Sequence, residues 1–87
     1  MNLDDRNFLE QIGFRIRELR QARGMTQEQL AEACDLHRTF IGSVERGERN
    51  VAVLNLRKIA RSLRVPLTDL FTNPPAPPSD SPAQAPD

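Results

Sequence analysis

Residues Thr26 to Arg46 read TQEQLAEACDLHRTFIGSVER, and this stretch decides the fold. Thr26-Gln27-Glu28-Gln29 has the form of a capping box, with Thr26 as the cap and Gln29 reaching back to the cap's backbone, so a helix starts there. Leu30, Ala31 and Cys34 give that helix an inward face. Asp35-Leu36 allows a sharp turn. Ile41 and Val44, again at helical spacing, place a third helix over about His37 to Arg46, and Gly47 stops it. The stretch therefore predicts two short helices joined by a tight turn.

Outward from this pair, Phe8, Ile12, Ile16 and Leu19 recur at steps of four, four and three and form one stripe of a leading helix, about Asn7 to Arg23. Gly24 supplies the conformation that ends it. Beyond Gly47 a polar loop, Glu48-Arg49-Asn50, precedes a fourth helix from about Val53 to Arg64, whose buried stripe is Leu56, Ile59, Ala60 and Leu63. Pro66 opens a final turn or two of helix carrying Leu67, Leu70 and Phe71. No segment alternates with the period of two that a strand needs. The expected architecture is all-α: a compact five-helix domain over residues 1–72, with its helix-turn-helix at about 26–46.

Six of the seven prolines fall between Asn73 and Asp87, a stretch without a large apolar side chain to offset the entropy of ordering. A disordered proline-rich tail is expected there. Its PxxP-like spacings lack a flanking Arg or Lys, which speaks against a polyproline ligand.

At 87 residues the chain has room for one domain and one modest core. Its apolar runs fall far short of the roughly 20 residues that cross a bilayer, and the acidic start Met1 to Asp5 lacks the layout of a signal peptide. A soluble, cytoplasmic protein without a membrane partner is expected. The single cysteine, Cys34, has no second Cys or His at metal-ligand spacing and reads as a core residue, so neither a metal nor a cofactor is expected. One His, one Cys and scattered carboxylates form no triad or phosphate loop, so an enzyme is not expected either.

The formal net charge is zero, but the charges are unevenly placed. Between Leu36 and Arg64 seven bases (Arg38, Arg46, Arg49, Arg57, Lys58, Arg61, Arg64) face only two acids, Glu45 and Glu48, whereas Met1 to Asp35 carries seven acids and five bases. A phosphate backbone responds to the local field it meets, so a neutral protein with a basic face can still be steered to DNA.

Two short helices enclosed by a longer leading helix and two trailing ones form the arrangement in which the second short helix enters a major groove. Gly24-Met25-Thr26-Gln27-Glu28-Gln29-Leu30-Ala31, Arg38-Thr39-Phe40-Ile41, Val44-Glu45-Arg46-Gly47 and Leu63-Arg64-Val65-Pro66-Leu67 with Leu70-Phe71 strongly resemble the Cro/CI-type (Xre) helix-turn-helix family. The resemblance covers about Phe8 to Phe71. The run Leu36 to Ile41 and on through Glu45-Arg46 is most similar to the controller proteins of restriction-modification systems, which time expression of the restriction enzyme.

The resemblance implies a sequence-specific, autoregulatory transcription regulator, activator or repressor, that binds a palindromic operator as a homodimer. Gln27, at a helix start where backbone amides favour an anion, matches a residue that clamps a DNA phosphate. Arg38 and Thr39 open the third helix: Arg can bond both O6 and N7 of guanine, and Thr can meet a base edge or a thymine methyl. Ser43, one turn beyond Thr39, matches a base-contacting position of phage repressors, and Gly42 leaves room for close approach. His37 either touches a phosphate or simply begins the helix. Phe40 stands where controller-like relatives carry tyrosine and either packs beside the backbone or supports the third helix. Arg46, Arg49 and Asn50 are candidate phosphate contacts. Glu45 matches a position paired with an arginine on the first helix, here Arg20, which makes these two a structural ion pair.

Val51, Val53 and Leu54, with Leu67, Leu70 and Phe71, are candidates for a dimer surface or else fill the monomer's own core. Expected partners are double-stranded DNA, a second copy of the chain and RNA polymerase, with no small-molecule effector. The competing class, a protein-interaction module such as an antitoxin, predicts an apolar face where Arg38, Thr39 and Ser43 make a polar one.

Overall fold

The first helix begins at its earliest cap. Asn2 is extended (φ −84°, ψ 172°) and its Oδ1 accepts the Asp5 amide at 2.8 Å, while Asp4 and Asp5 place negative charge in the first turn, where the helix dipole favours it. Helix α1 therefore runs Leu3–Ala22 and starts four residues before the expected Asn7. The computed structural model describes residues 2–71, so the tail expected over Asn73–Asp87 lies outside the described residues.

Helix α2, Gln27–Cys34, carries the complete capping box: the Gln29 amide donates to Thr26 Oγ1 at 3.0 Å, and the Thr26 amide donates to Gln29 Oε1 at 2.8 Å. It closes on Asp35, whose left-handed backbone (φ 58°) makes the tight turn. Helix α3 is Arg38–Glu45, and helix α4 is Val53–Leu63, closed by Arg64 at φ 60°. The last element is a 3-10 helix, Leu67–Phe71. The described residues thus hold four α-helices and one 3-10 helix and no strand, which corrects the count of five helices; one short turn after Pro66 lacks the length for an α-helical ladder.

All five elements send side chains into one core. Ile16, Leu30, Ile41, Ile59, Leu63 and Leu70 are its largest fully enclosed members, and burial of each such side chain stabilises the fold by roughly 1.5–3 kcal/mol. Cys34 belongs to it: its thiol donates to Ser62 Oγ at 3.4 Å, and burial pushes its pKa up. Two glycines set the crossing of α1 with the end of α3. A Cβ on Gly13 would overlap the carbonyl oxygens of Val44 and Glu45, and Gly47, at φ 76°, lies so close to Glu10 that a Cβ would strike its backbone. Helix α3 is thereby held flush against α1.

Two apolar assignments change. Phe8 does not join the buried stripe of Ile12 and Ile16; it is half exposed and stacks on Phe71, with ring centroids 6.5 Å apart and planes 5° from parallel. Leu70 is 0% exposed and so cannot form a dimer surface, because the 3-10 helix turns it under the core. Leu67 and Val51 are partly buried against the same core, whereas Val53 (61%), Leu54 (64%) and Phe71 (44%) remain open to solvent.

Candidate nucleic-acid interface

The turn between α2 and α3 leaves α3 lying across the surface with its first residues outermost. His37 caps it: the Thr39 amide donates to His37 Nδ1 at 3.0 Å, so the neutral ring carries its proton on Nε2 and keeps that donor for a further partner. Arg38 and Thr39 are exposed, and neither side chain has a hydrogen-bond or ion-pair partner among the described residues. An arginine fork and a hydroxyl stand free at the helix opening.

Behind this opening, three elements are tied at one carboxylate. Arg20 on α1 donates Nε to Glu45 Oε2 at 2.6 Å and Nη2 to Glu45 Oε1 at 3.1 Å, and its Nη1 donates to the Met25 carbonyl at 2.7 Å. Gln27 on α2 donates Nε2 to the same Glu45 Oε1 at 3.0 Å. Both charged residues are buried, so the pairing and the extra donors offset the cost of removing two ions from water. The link from Gln27 to Glu45 was not evident in the sequence.

Gly42 is buried, and its missing Cβ makes room for protein: Gln27 Oε1 lies 3.5 Å and Arg46 Nη1 3.2 Å from where that Cβ would be. Ser43 requires a correction. It is on the outward side of α3 but only 7% exposed, because Arg49 folds back over it: Arg49 Nε donates to Ser43 Oγ at 3.1 Å, and Ser43 Oγ donates to the Phe40 carbonyl at 2.8 Å. With its proton committed and its surface covered, Ser43 is not placed to meet a base. Phe40 is partly buried, with the Arg49 guanidinium 5.3 Å above its ring.

Arg46 is exposed and donates Nε to Glu48 Oε2 at 3.0 Å; that hydrogen bond, together with the positive charge, holds the Glu48 carboxyl below the usual carboxylate range. Asn50 is exposed in the loop that follows, beside Phe8 and Leu9. Arg57, Lys58 and Arg61 on α4 and Arg64 at its C-cap are all exposed and without acidic partners among the described residues, so the positive charge of these four stays uncompensated. No helix among the described residues is long and apolar enough to cross a membrane.

A capped helix whose opening is exposed, presented by a tight turn with cations around it, defines a DNA-binding module of helix-turn-helix type. The helix-turn-helix family model matches residues 16–70, and the chain belongs to that family of transcription regulators. Among its relatives is the control protein C.BamHI of Bacillus amyloliquefaciens, 48% identical over 61 residues that make up 69% of this chain and 75% of that one. The control protein C.SmaI of Serratia marcescens is 47% identical over 66% of this chain and 68% of its own length. The crystal structure of the restriction-modification controller protein C.AhdI from Aeromonas hydrophila superposes with a TM-score of 0.71 at 46% identity, over 72% of this chain and 96% of that one. The C.Esp1396I controller tetramer in complex with its natural 35 base-pair operator superposes with a TM-score of 0.68 at 38% identity, covering 74% of this chain and 84% of that one.

Proposed function

We propose that this protein is a controller-type regulator that binds a palindromic operator near its own gene as a homodimer and sets expression by its concentration. The observation that carries the reading is the pair Arg38 and Thr39, exposed and unpartnered at the opening of a helix whose other end is anchored through Glu45 to α1 and α2. Arg38 reads guanine through O6 and N7, and Thr39 meets the neighbouring base edge. Gln27, His37, Arg46, Arg49 and Asn50 serve as backbone contacts that set register, with Phe40 packed beneath the Arg49 guanidinium.

One helix reads only a few base pairs, so two copies spaced about 34 Å apart are needed for a full site. Val53, Leu54 and Phe71 supply exposed apolar area for that pairing, joined by Phe8, which the sequence had placed inside. DNA as partner puts the protein in the cytoplasm, acting by occupancy and by contact with RNA polymerase instead of through catalysis or a bound effector.

Selection of duplexes from a random library, followed by titration of wild type and Arg38→Ala across a salt series, tests the reading. Wild type is expected to enrich a palindrome, and Arg38→Ala to lose about 1–3 kcal/mol of discrimination at one base pair per half-site while keeping its non-specific affinity. A wild type that enriches no sequence overturns the reading.

A further inference from the structure

Of the cations around α3, Arg49 alone is held by the helix it follows. Arg46 is occupied by Glu48, and Arg20 by Glu45 and the Met25 carbonyl, but Arg49 has no acidic partner among the described residues. Its guanidinium sits 5.3 Å over the Phe40 ring, and its Nε donates to Ser43 Oγ at 3.1 Å. Ser43 in turn donates to the Phe40 carbonyl at 2.8 Å, so its remaining acceptor capacity is turned to Arg49. Ring, hydroxyl and guanidinium form one assembly. It consumes Nε and leaves Nη1 and Nη2, the end-on fork that matches two oxygens of a phosphate, without a partner among the described residues.

A loop arginine free in solution loses up to roughly 2 kcal/mol of rotamer freedom when a ligand immobilises it, and stacking beforehand removes much of that loss from the binding step. We propose that Phe40 and Ser43 are positioning residues for Arg49, holding its guanidinium fork over the outer side of α3 so that it clamps a DNA phosphate without reordering. The proposal rests on the DNA-binding reading above and deepens it. It gives Ser43 and Phe40 work that differs from direct contact with DNA, and it accounts for a serine on the outward side of α3 that is nevertheless covered. A bare aromatic ring suffices, because the ring face and not a hydroxyl meets the guanidinium.

The test is a double-mutant cycle, read as affinity for the palindromic duplex that wild type selects, across a salt series, with circular dichroism on every variant. Arg49→Ala is expected to weaken binding about ten-fold and to lower the salt slope by about one, uniformly across base sequences. Phe40→Leu and Ser43→Ala are each expected to weaken binding about three-fold in the wild-type background and to have no further effect in the Arg49→Ala background, whereas Phe40→Tyr, which keeps the ring, retains the coupling. Should Phe40→Leu perturb folding, Ser43→Ala carries the cycle alone. Losses that add in full with Arg49→Ala overturn the proposal, as does an Arg49→Ala variant that changes base preference with an unchanged salt slope. A wild type that selects no duplex overturns the DNA-binding reading itself, and this inference falls with it; a wild type that selects one while the cycle is additive sinks the inference alone.

Discussion

Arg20 and Glu45, 25 residues apart, are joined by two hydrogen bonds of 2.6 and 3.1 Å in a setting where both are nearly out of water. Removing one partner leaves the other charge buried and uncompensated. Glu45→Ala and Arg20→Ala are therefore expected to lower unfolding free energy by about 3–5 kcal/mol, and the double variant Arg20→Met/Glu45→Leu to recover most of that loss. Urea unfolding of the three variants checks this; a double variant no more stable than either single one would contradict it.

Gly13→Ala sets two effects against each other. Alanine gains about 1 kcal/mol of helix propensity in α1, but the new Cβ overlaps two carbonyl oxygens at the end of α3, and overpacking against backbone costs about 1–3 kcal/mol or more. The steric effect is larger, so a net fall in thermal midpoint is expected, together with weaker DNA binding as α3 is pushed off α1. Differential scanning calorimetry gives the sign directly.

Glu48→Gln is expected to raise affinity for DNA two- to three-fold at neutral pH, since it releases Arg46 from its ion pair for the phosphate contact proposed above and removes a negative charge beside it. The Glu48 carboxyl lies below its usual range, so its pairing with Arg46 is complete above the ordinary carboxylate pKa and is lost only as pH falls through the lowered value. The advantage of the variant over wild type should shrink toward unity on acidification past that point. A ratio that stays constant with pH would show that the pair has no bearing on binding.

Arg64 ends α4 at φ 60°, a conformation that costs an L-residue roughly 1–2 kcal/mol and glycine almost nothing. Arg64→Gly is expected to raise stability by about 0.5–1 kcal/mol after the greater freedom of glycine in the unfolded chain is counted. Chemical denaturation measures it, and a loss of stability would mean that the arginine side chain does more at this site than the backbone argument allows.

The capping box at Thr26 and the stripe Leu56, Ile59, Ala60 and Leu63 were legible because each is a local pattern whose partners lie within two turns. The start of α1 was misplaced because its cap, Asn2, precedes the first apolar repeat. Phe8 and Leu70 exchanged expected roles for a tertiary reason: the 3-10 helix rolls Leu70 inward and leaves Phe71 to stack on Phe8. Periodicity carries no information about that rotation. Ser43 was given to DNA because it lies one turn beyond Thr39 and matches a base-contacting position of phage repressors; a loop arginine six residues later covers it, a contact that no spacing rule encodes.

Among the described residues, those that hold α3 in place, Arg20, Gln27 and Glu45, share no side-chain hydrogen bond or ion pair with the exposed pair Arg38 and Thr39. On the reading proposed above, in which Arg38 and Thr39 carry the base contacts, substitution at 38 and 39 retargets the protein to another site while its anchorage stays intact. Two such regulators can drift apart in one cell, each deaf to the other's operator, through changes that no step of the path makes unstable.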